Sequence, residues 1–239
     1  MGVGTAGPDA HRVIARASID DFGILILGGG EATRLPGKLT LQIGDVMENV
    51  PMIARVFANV RQGRKREIAI SGKATFARDL DARLAAPLVI DRWARRGPLG
   101  GMLSSFASMH ARFIFVVAGD APILDVAFAE RLARAFEPGD EALVPSHLAR
   151  ASRETAPAIE PLAALYDRLA FLREGMPILR GGRGALHLVI AALRTRYVPI
   201  DDARIFTNVN TPADFAAFCQ TVQNPKIVPT TPCPGVTNR

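Results

Sequence analysis

Arg34 and Lys38 stand four residues apart in LGGGEATRLPGKL (27–39), which follows the apolar run FGILI. Glycines let backbone amides turn toward an anion with no Cβ in the way, and a planar guanidinium beside a point-charge ammonium suits a triphosphate. Leu27, Gly28, Gly29 and Gly30 would form the cradle. The spacing is not that of a Walker loop, because Ala32 and Leu39 stand where it needs Gly and Ser/Thr. It is not a dinucleotide fingerprint either, since Thr33 takes the place of the third glycine. A glycine-rich turn with solvent-facing charges is the alternative.

Asp120, in VVAGDAP (116–122), follows an apolar run and could hold magnesium, which binds through one or two carboxylates plus phosphate oxygens. A turn or capping role before Pro122 is the plain alternative. Asp91 ends the preceding run in the same way, and two carboxylates at neighbouring strand ends suit a nucleotide or metal pocket. Gly97, Pro98 and Leu99 begin GPLGG, whose amides could approach a base or ribose as a helix opens into MLSSFASMHA. Asn208 and Asn210, two apart in FTNVNTP, point the same way in an extended segment and suit a metal-bound phosphate or a base edge. A helix-capping turn is the alternative there, with Thr211 as N-cap, Pro212 first in the helix and Asp214 three residues on.

Other chemistries lack their residues. His110, His147 and His187 have no metal-ligand spacing, His11 falls in the N-terminal tail, and His187 is expected to pack on an apolar helix. No Ser/His/Asp grouping or G-x-S-x-G elbow supports a covalent hydrolase. Cys219 and Cys233 make neither a disulfide framework nor a metal motif, which favours a reducing cytoplasm. No apolar run is long enough to span a bilayer, and the N-terminus lacks a signal-peptide apolar region.

The elements that must carry these residues read as alternating strands and helices. FGILILG (22–28), EIAIS (67–71), PLVID (87–91), FIFVVAGD (113–120) and EALVPS (141–146) are near-continuous apolar runs, as parallel strands covered on both faces require. PMIARVFANVRQ and DVAFAERLARAF place apolar residues on one helical stripe. Farther on, HLARASRETAPAIE (147–160) is expected as a long loop, PLAALYDRLAFLREG as helical in part, ALHLVIAALR as a helix, RYVPI as a strand and TPADFAAFCQTV as a closing helix. The pattern predicts an α/β fold, a single three-layer α/β/α Rossmann-like domain with a mostly parallel sheet. Its bounds are 20–223, with flexible tails at 1–19 and 224–239. Open sheets of this kind bind ligands beyond the carboxyl ends of their strands, which singles out the positions after Leu27, Ser71, Ile90 and Val117.

A net charge of +6 fits an anionic partner or an arginine-rich surface. The basic residues are scattered, apart from RQGRKRE and RWARR, and aromatics are only 6%. That leaves no stacking platform for nucleic acid.

The order of the pieces narrows the reading. LGGGEATRLPGKL, GPLGG, VVAGDAP, IEPLAALY and FTNVNTPADF in succession, over about residues 22–220, resemble the molybdenum cofactor guanylyltransferase family. Its first loop reads roughly L-A-G-G-x-S-x-R-M-G-x-D-K, within the wider nucleotidyltransferases. The resemblance implies that Gly28 to Gly30 with Arg34 and Lys38 hold the GTP triphosphate, and that Asp91 binds the nucleotide. Asp120 would bind magnesium, and Asn208 and Asn210 match the family's N-V-N-T-P. Ser71 occupies a place where members can carry a base-contacting Asn. The first loop differs in having Gly28 for Ala, RLPG for R-M-G and no Asp before Lys38, and DVMENV is inserted between LQIG and PMI. These differences bear on guanine selectivity more than on fold.

The implied reaction is attack by the terminal phosphate of molybdopterin on the α-phosphorus of GTP, releasing pyrophosphate. Lys38, Arg34 and Asp120 are the catalytic candidates, with Arg180 and Arg183 as candidates for the second substrate's phosphate. Partners would be GTP, molybdopterin and molybdenum cofactor insertion or biosynthesis proteins, with a monomer or weak oligomer and no nucleic acid or membrane. The rival readings are a cytidylyltransferase or sugar-phosphate nucleotidyltransferase of the same fold, a catalytically silent nucleotide binder, and, more distantly, a nucleic-acid binder.

Overall fold

Strands buried on both faces need helices on both sides, and the chain supplies them. The computed structural model describes residues 19–28, 38–43, 50–63, 65–73, 84, 86–93, 96–147, 157–182 and 184–223. The first half runs β1 (Gly23–Leu27), a 3-10 turn Lys38–Thr40, β2 (Gln42–Ile43), β3 (Val50–Pro51), α1 (Met52–Arg61), β4 (Ile68–Gly72), β5 (Leu88–Ile90), α2 (Gly97–Phe106) and β6 (Phe113–Ala118). Then follow α3 (Val126–Arg134), β7 (Ala142–His147), β8 (Ala158–Ile159), β9 (Ala163–Asp167), α4 (Arg168–Arg180), α5 (Leu186–Ala192), β10 (Thr195–Pro199), a 3-10 turn Ala203–Phe206 and α6 (Pro212–Gln223).

The main sheet has the order β10-β7-β9-β6-β1-β4-β5, with β8 beside β7. β1 runs parallel to both β4 and β6, and β4 to β5. β10 is parallel to β7, whereas β9 is antiparallel to β6 and β7, and β8 to β7. Alternate residues of β1 enter different cores. Ile24 and Ile26 pack with Ile53, Val56 and Phe128 of α1 and α3. Leu25 and Leu27 pack with Leu99, Met102 and Phe171 of α2 and α4. Each such fully buried side chain contributes about 1.5–3 kcal/mol of transfer free energy. This is the expected three-layer α/β/α fold with a mostly parallel sheet.

PLAALYDRLAFLREG is helical in part, as expected: the helix runs from Arg168, and the preceding Ala163–Asp167 forms β9. Leu165 pairs with Phe115 on one side and Leu143 on the other, so sheet pairing overrides the helix preference of Ala and Leu. Asp167 marks the junction, its Oδ1 accepting from the Leu169 and Ala170 amides at 3.0 Å each. One expectation is corrected: His187 is exposed, because α5 is short and buries only the stripe through Val189 and Ile190. Ile19, the residue just before the expected boundary, lies in the core at 1% exposure. Residues 1–18 and 224–239, with most of the expected loop at 147–160, lie outside the described residues. Among the described residues no helix is long and apolar enough to cross a membrane.

Candidate functional site

From β1 the chain moves outward through β4 to β5, then returns to place β6 on the other side of β1. This reversal creates a crevice at the carboxyl ends of β1 and β6, where an open α/β sheet binds its ligand. Leu27 and Ala118 are register partners at those ends, and the Gly119 amide donates to the Leu27 carbonyl at 3.0 Å. The Gly28 amide donates to the Ser71 carbonyl at 2.7 Å, which ties the start of the first loop to β4. Beyond the loop, Leu39 packs against the core, and its Cδ2 would lie 3.2 Å from a Cβ placed on Gly119. The missing side chain at Gly119 thus lets the turn carrying Lys38 return to the same crevice. Gly29, Gly30 and Arg34 lie outside the described residues, as does the Lys38 side chain.

Asp120 follows directly at the end of β6 and is half-buried. Its carbonyl accepts from the Val209 amide at 2.9 Å, a link that pulls the distant FTNVNTP segment across the crevice. Val209 is fully buried against Met52 and Phe218, while Asn208 and Asn210 on either side are half-buried. The burial of Val209 between two half-buried Asn is the pattern that an alternating segment gives. The helix cap forms as well: the Asp214 amide donates to Thr211 Oγ1 at 3.1 Å, and Asp214 Oδ2 accepts from the Asn210 and Thr211 amides. The Thr211 hydroxyl foremost, then the Asn210 amide, holds the Asp214 carboxyl below its usual range.

Asp91 is not beside Asp120, contrary to the reading of neighbouring strand ends. β4 and β1 intervene, and at about 4.8 Å per strand the two ends are roughly 14 Å apart. They are neighbours in chain order only, so they do not share one metal ion. The separation instead suits the two ends of a nucleotide. Asp91 Oδ1 accepts from the Trp93 amide at 2.8 Å and closes a local turn. Gly97 opens α2 with a φ of 58°, followed by Pro98 and the fully buried Leu99. Ser71, at 1% exposure, lies beneath α2, where a Cβ on Gly101 would come within 2.8 Å of its Oγ. That close approach predicts the cost of Gly101→Val, about 1–3 kcal/mol by overpacking. A thermal melt reads it, and an unchanged Tm would mean that α2 shifts away freely.

Arg180 is exposed at the end of α4, and Arg183 lies outside the described residues. The turn after α4 reaches the start of α2, since Arg96 Nη1 donates to the Gly182 carbonyl at 2.7 Å. Sequence reasoning missed a pair near Asp120, in which His147 Nε2 meets Glu160 Oε1 at 2.9 Å. Its residues are 13 apart, and only the pairing of β7 with β8 joins them.

The architecture is that of the α/β nucleotidyltransferases. A solved molybdopterin-guanine dinucleotide biosynthesis protein A from Archaeoglobus fulgidus superposes with a TM-score of 0.68 at 21% identity, covering 84% of this chain and 99% of that one. A 4-diphosphocytidyl-2C-methyl-D-erythritol synthase from Anaerococcus prevotii gives 0.67 at 11% identity, covering 87% and 99%. Residues 24–198 match the family described as MobA-like NTP transferase domain, and the chain belongs to that family. A molybdenum cofactor guanylyltransferase from Cupriavidus metallidurans is 29% identical over 199 residues, 81% of this chain and 92% of the relative.

Proposed function

We propose that the protein transfers GMP from GTP to molybdopterin and releases pyrophosphate. The observation that carries the reading is the convergence of the two ends of the first loop, Gly28 and Leu39, with Asp120 and the Asn208–Asn210 segment beyond the carboxyl ends of β1 and β6, within a chain of this family. An oxygen of the molybdopterin phosphate attacks the α-phosphorus as the α–β bridging bond breaks, and pyrophosphate leaves with the electron pair. No covalent enzyme intermediate is needed. The chain's task is to align two polyanions and to neutralise charge. Lys38 and Arg34 neutralise the β- and γ-phosphates, the amides of Gly29 and Gly30 cradle them while the Gly28 amide is held by the Ser71 carbonyl, and Asp91 with Gly97 to Leu99 receives the nucleoside end. Arg180 and Arg183 take the acceptor's phosphate side.

Asp120 offers one carboxylate, and the segment bearing Asn208 and Asn210 is strapped to its carbonyl through the Val209 amide. Among the described residues no group of three His, Cys, Asp or Glu could cage a metal. That donor set fits magnesium, which keeps waters and phosphate oxygens and needs only one or two carboxylates. When bound, magnesium would offset the charge on the phosphate oxygens. The reading carries with it a cytoplasmic monomer or weak oligomer whose product passes to molybdenum cofactor insertion or biosynthesis proteins.

Calorimetry of GTP, CTP, ATP and UTP with magnesium tests it. GTP is expected to bind at least tenfold more tightly, about 1.4 kcal/mol, than the others. Preference for CTP would move the assignment to a cytidylyltransferase, and binding of none would make the protein a silent homologue.

A further inference from the structure

Glu160 is braced from four directions. Its amide donates to the Pro145 carbonyl at 2.9 Å, and its carbonyl accepts from the Ala163 amide at 3.1 Å. Pro161 follows it and restricts its backbone to extended conformations. The Pro161 carbonyl accepts from the Tyr166 hydroxyl at 2.8 Å, and Tyr166 is buried so fully that its phenol is pushed well above its ordinary pKa. Finally, Glu160 Oε1 accepts from His147 Nε2 at 2.9 Å, and the imidazole is stacked on Phe206 at 5.7 Å and 19°.

This framework stands at the ligand edge of the sheet. Glu160 leads into β9, the direct neighbour of β6, and the Leu162 carbonyl accepts from the Ala118 amide at 3.1 Å, two residues before Asp120. Phe206 leads through Thr207 and Asn208 to Val209, which is tied to Asp120. Relative to β1, the pair lies on the side away from Asp91 and GPLGG, where no part of the nucleotide is expected.

A salt bridge at a surface contributes little to stability and needs no such bracing. His147 Nδ1 is also buried without a partner among the described residues, a cost that packing alone does not explain. The Glu160 side chain keeps 27% exposure, and its Oε2 has no hydrogen bond among the described residues. A carboxylate accepts only, and it matches a pair of adjacent N–H donors in a bidentate fork.

Resting on the proposed transfer to molybdopterin, we propose that Glu160 reads the acceptor's heterocycle through its adjacent ring N–H and amino donors, with His147 as the residue that positions the carboxylate. The acceptor's phosphate then lies over β6, and its fused ring system extends along the edge toward β7.

The test is pyrophosphate release with GTP, magnesium and varied molybdopterin, for wild type, Glu160→Gln and His147→Gln, with GTP affinity and thermal melts in parallel. Glu160→Gln turns one acceptor oxygen into a donor. It is expected to raise the KM for molybdopterin at least tenfold, about 1.4 kcal/mol, while kcat, GTP affinity and Tm hold. His147→Gln keeps an N–H near the Nε2 position and is expected to shift that KM only about threefold, as a weakened positioning contact would. An unchanged molybdopterin KM in Glu160→Gln overturns the proposal, and so does a parallel fall in GTP affinity, which would assign the carboxylate to guanine. Absence of pyrophosphate release in the wild type sinks the transfer reading and this proposal with it, and it is told apart because it shows before any substitution.

Discussion

Asp120→Asn is expected to leave nucleotide binding in place and to lower magnesium-dependent turnover by roughly 10²–10³-fold, the scale seen when a group serving charge development is removed. The substitution keeps size and shape but removes the negative charge at the crevice. It leaves the Asp120 carbonyl free to accept from the Val209 amide, so the segment bearing Asn208 and Asn210 stays in place. The fold therefore survives, and the loss appears in kcat more than in KM. Pyrophosphate release at saturating nucleotide reads it, with a melt as the control. Wild-type turnover in this variant would remove Asp120 from any role with magnesium.

Lys38→Ala is expected to weaken triphosphate binding and slow turnover together. One ammonium–phosphate contact contributes roughly 1.5–3 kcal/mol, or about 10- to 100-fold in KM and kcat combined. The backbone turn at Lys38–Thr40 is anchored by Leu39, which packs against the core, and by the Leu41 carbonyl, which accepts from the Met52 amide at 2.9 Å. Steady-state kinetics with varied GTP would show the change, and unaltered values would mean that LGGGEATRLPGKL is not the phosphate cradle.

The signals that nominate the candidate site are local in the amino-acid order. Glycine runs after an apolar run, with cations at a set distance, report a local property: backbone amides can face an anion only where no Cβ intervenes. The Thr211 and Asp214 cap was readable for the same reason, since its donors and acceptors lie within four residues. β1, β4 and β6 were readable because a strand covered on both faces must be apolar throughout.

β9 was not legible. Its five residues, AALYD, carry no period that separates strand from helix, and only their insertion between β6 and β7 settles the matter. The distance between Asp91 and Asp120 was hidden as well, because strand order in the chain does not give strand order in the sheet.

The chain's own pattern was therefore enough for what depends on near neighbours: the fully buried parallel strands, the amphipathic helices and the helix cap. Packing of distant segments set the rest. It separated Asp91 from Asp120, drew Val209 onto the Asp120 carbonyl, and joined His147 to Glu160 through β7 and β8. Those contacts arise because buried backbone groups must find partners and apolar faces must be covered. Either demand can be met by residues far apart in the chain, where periodicity and spacing carry no trace of it.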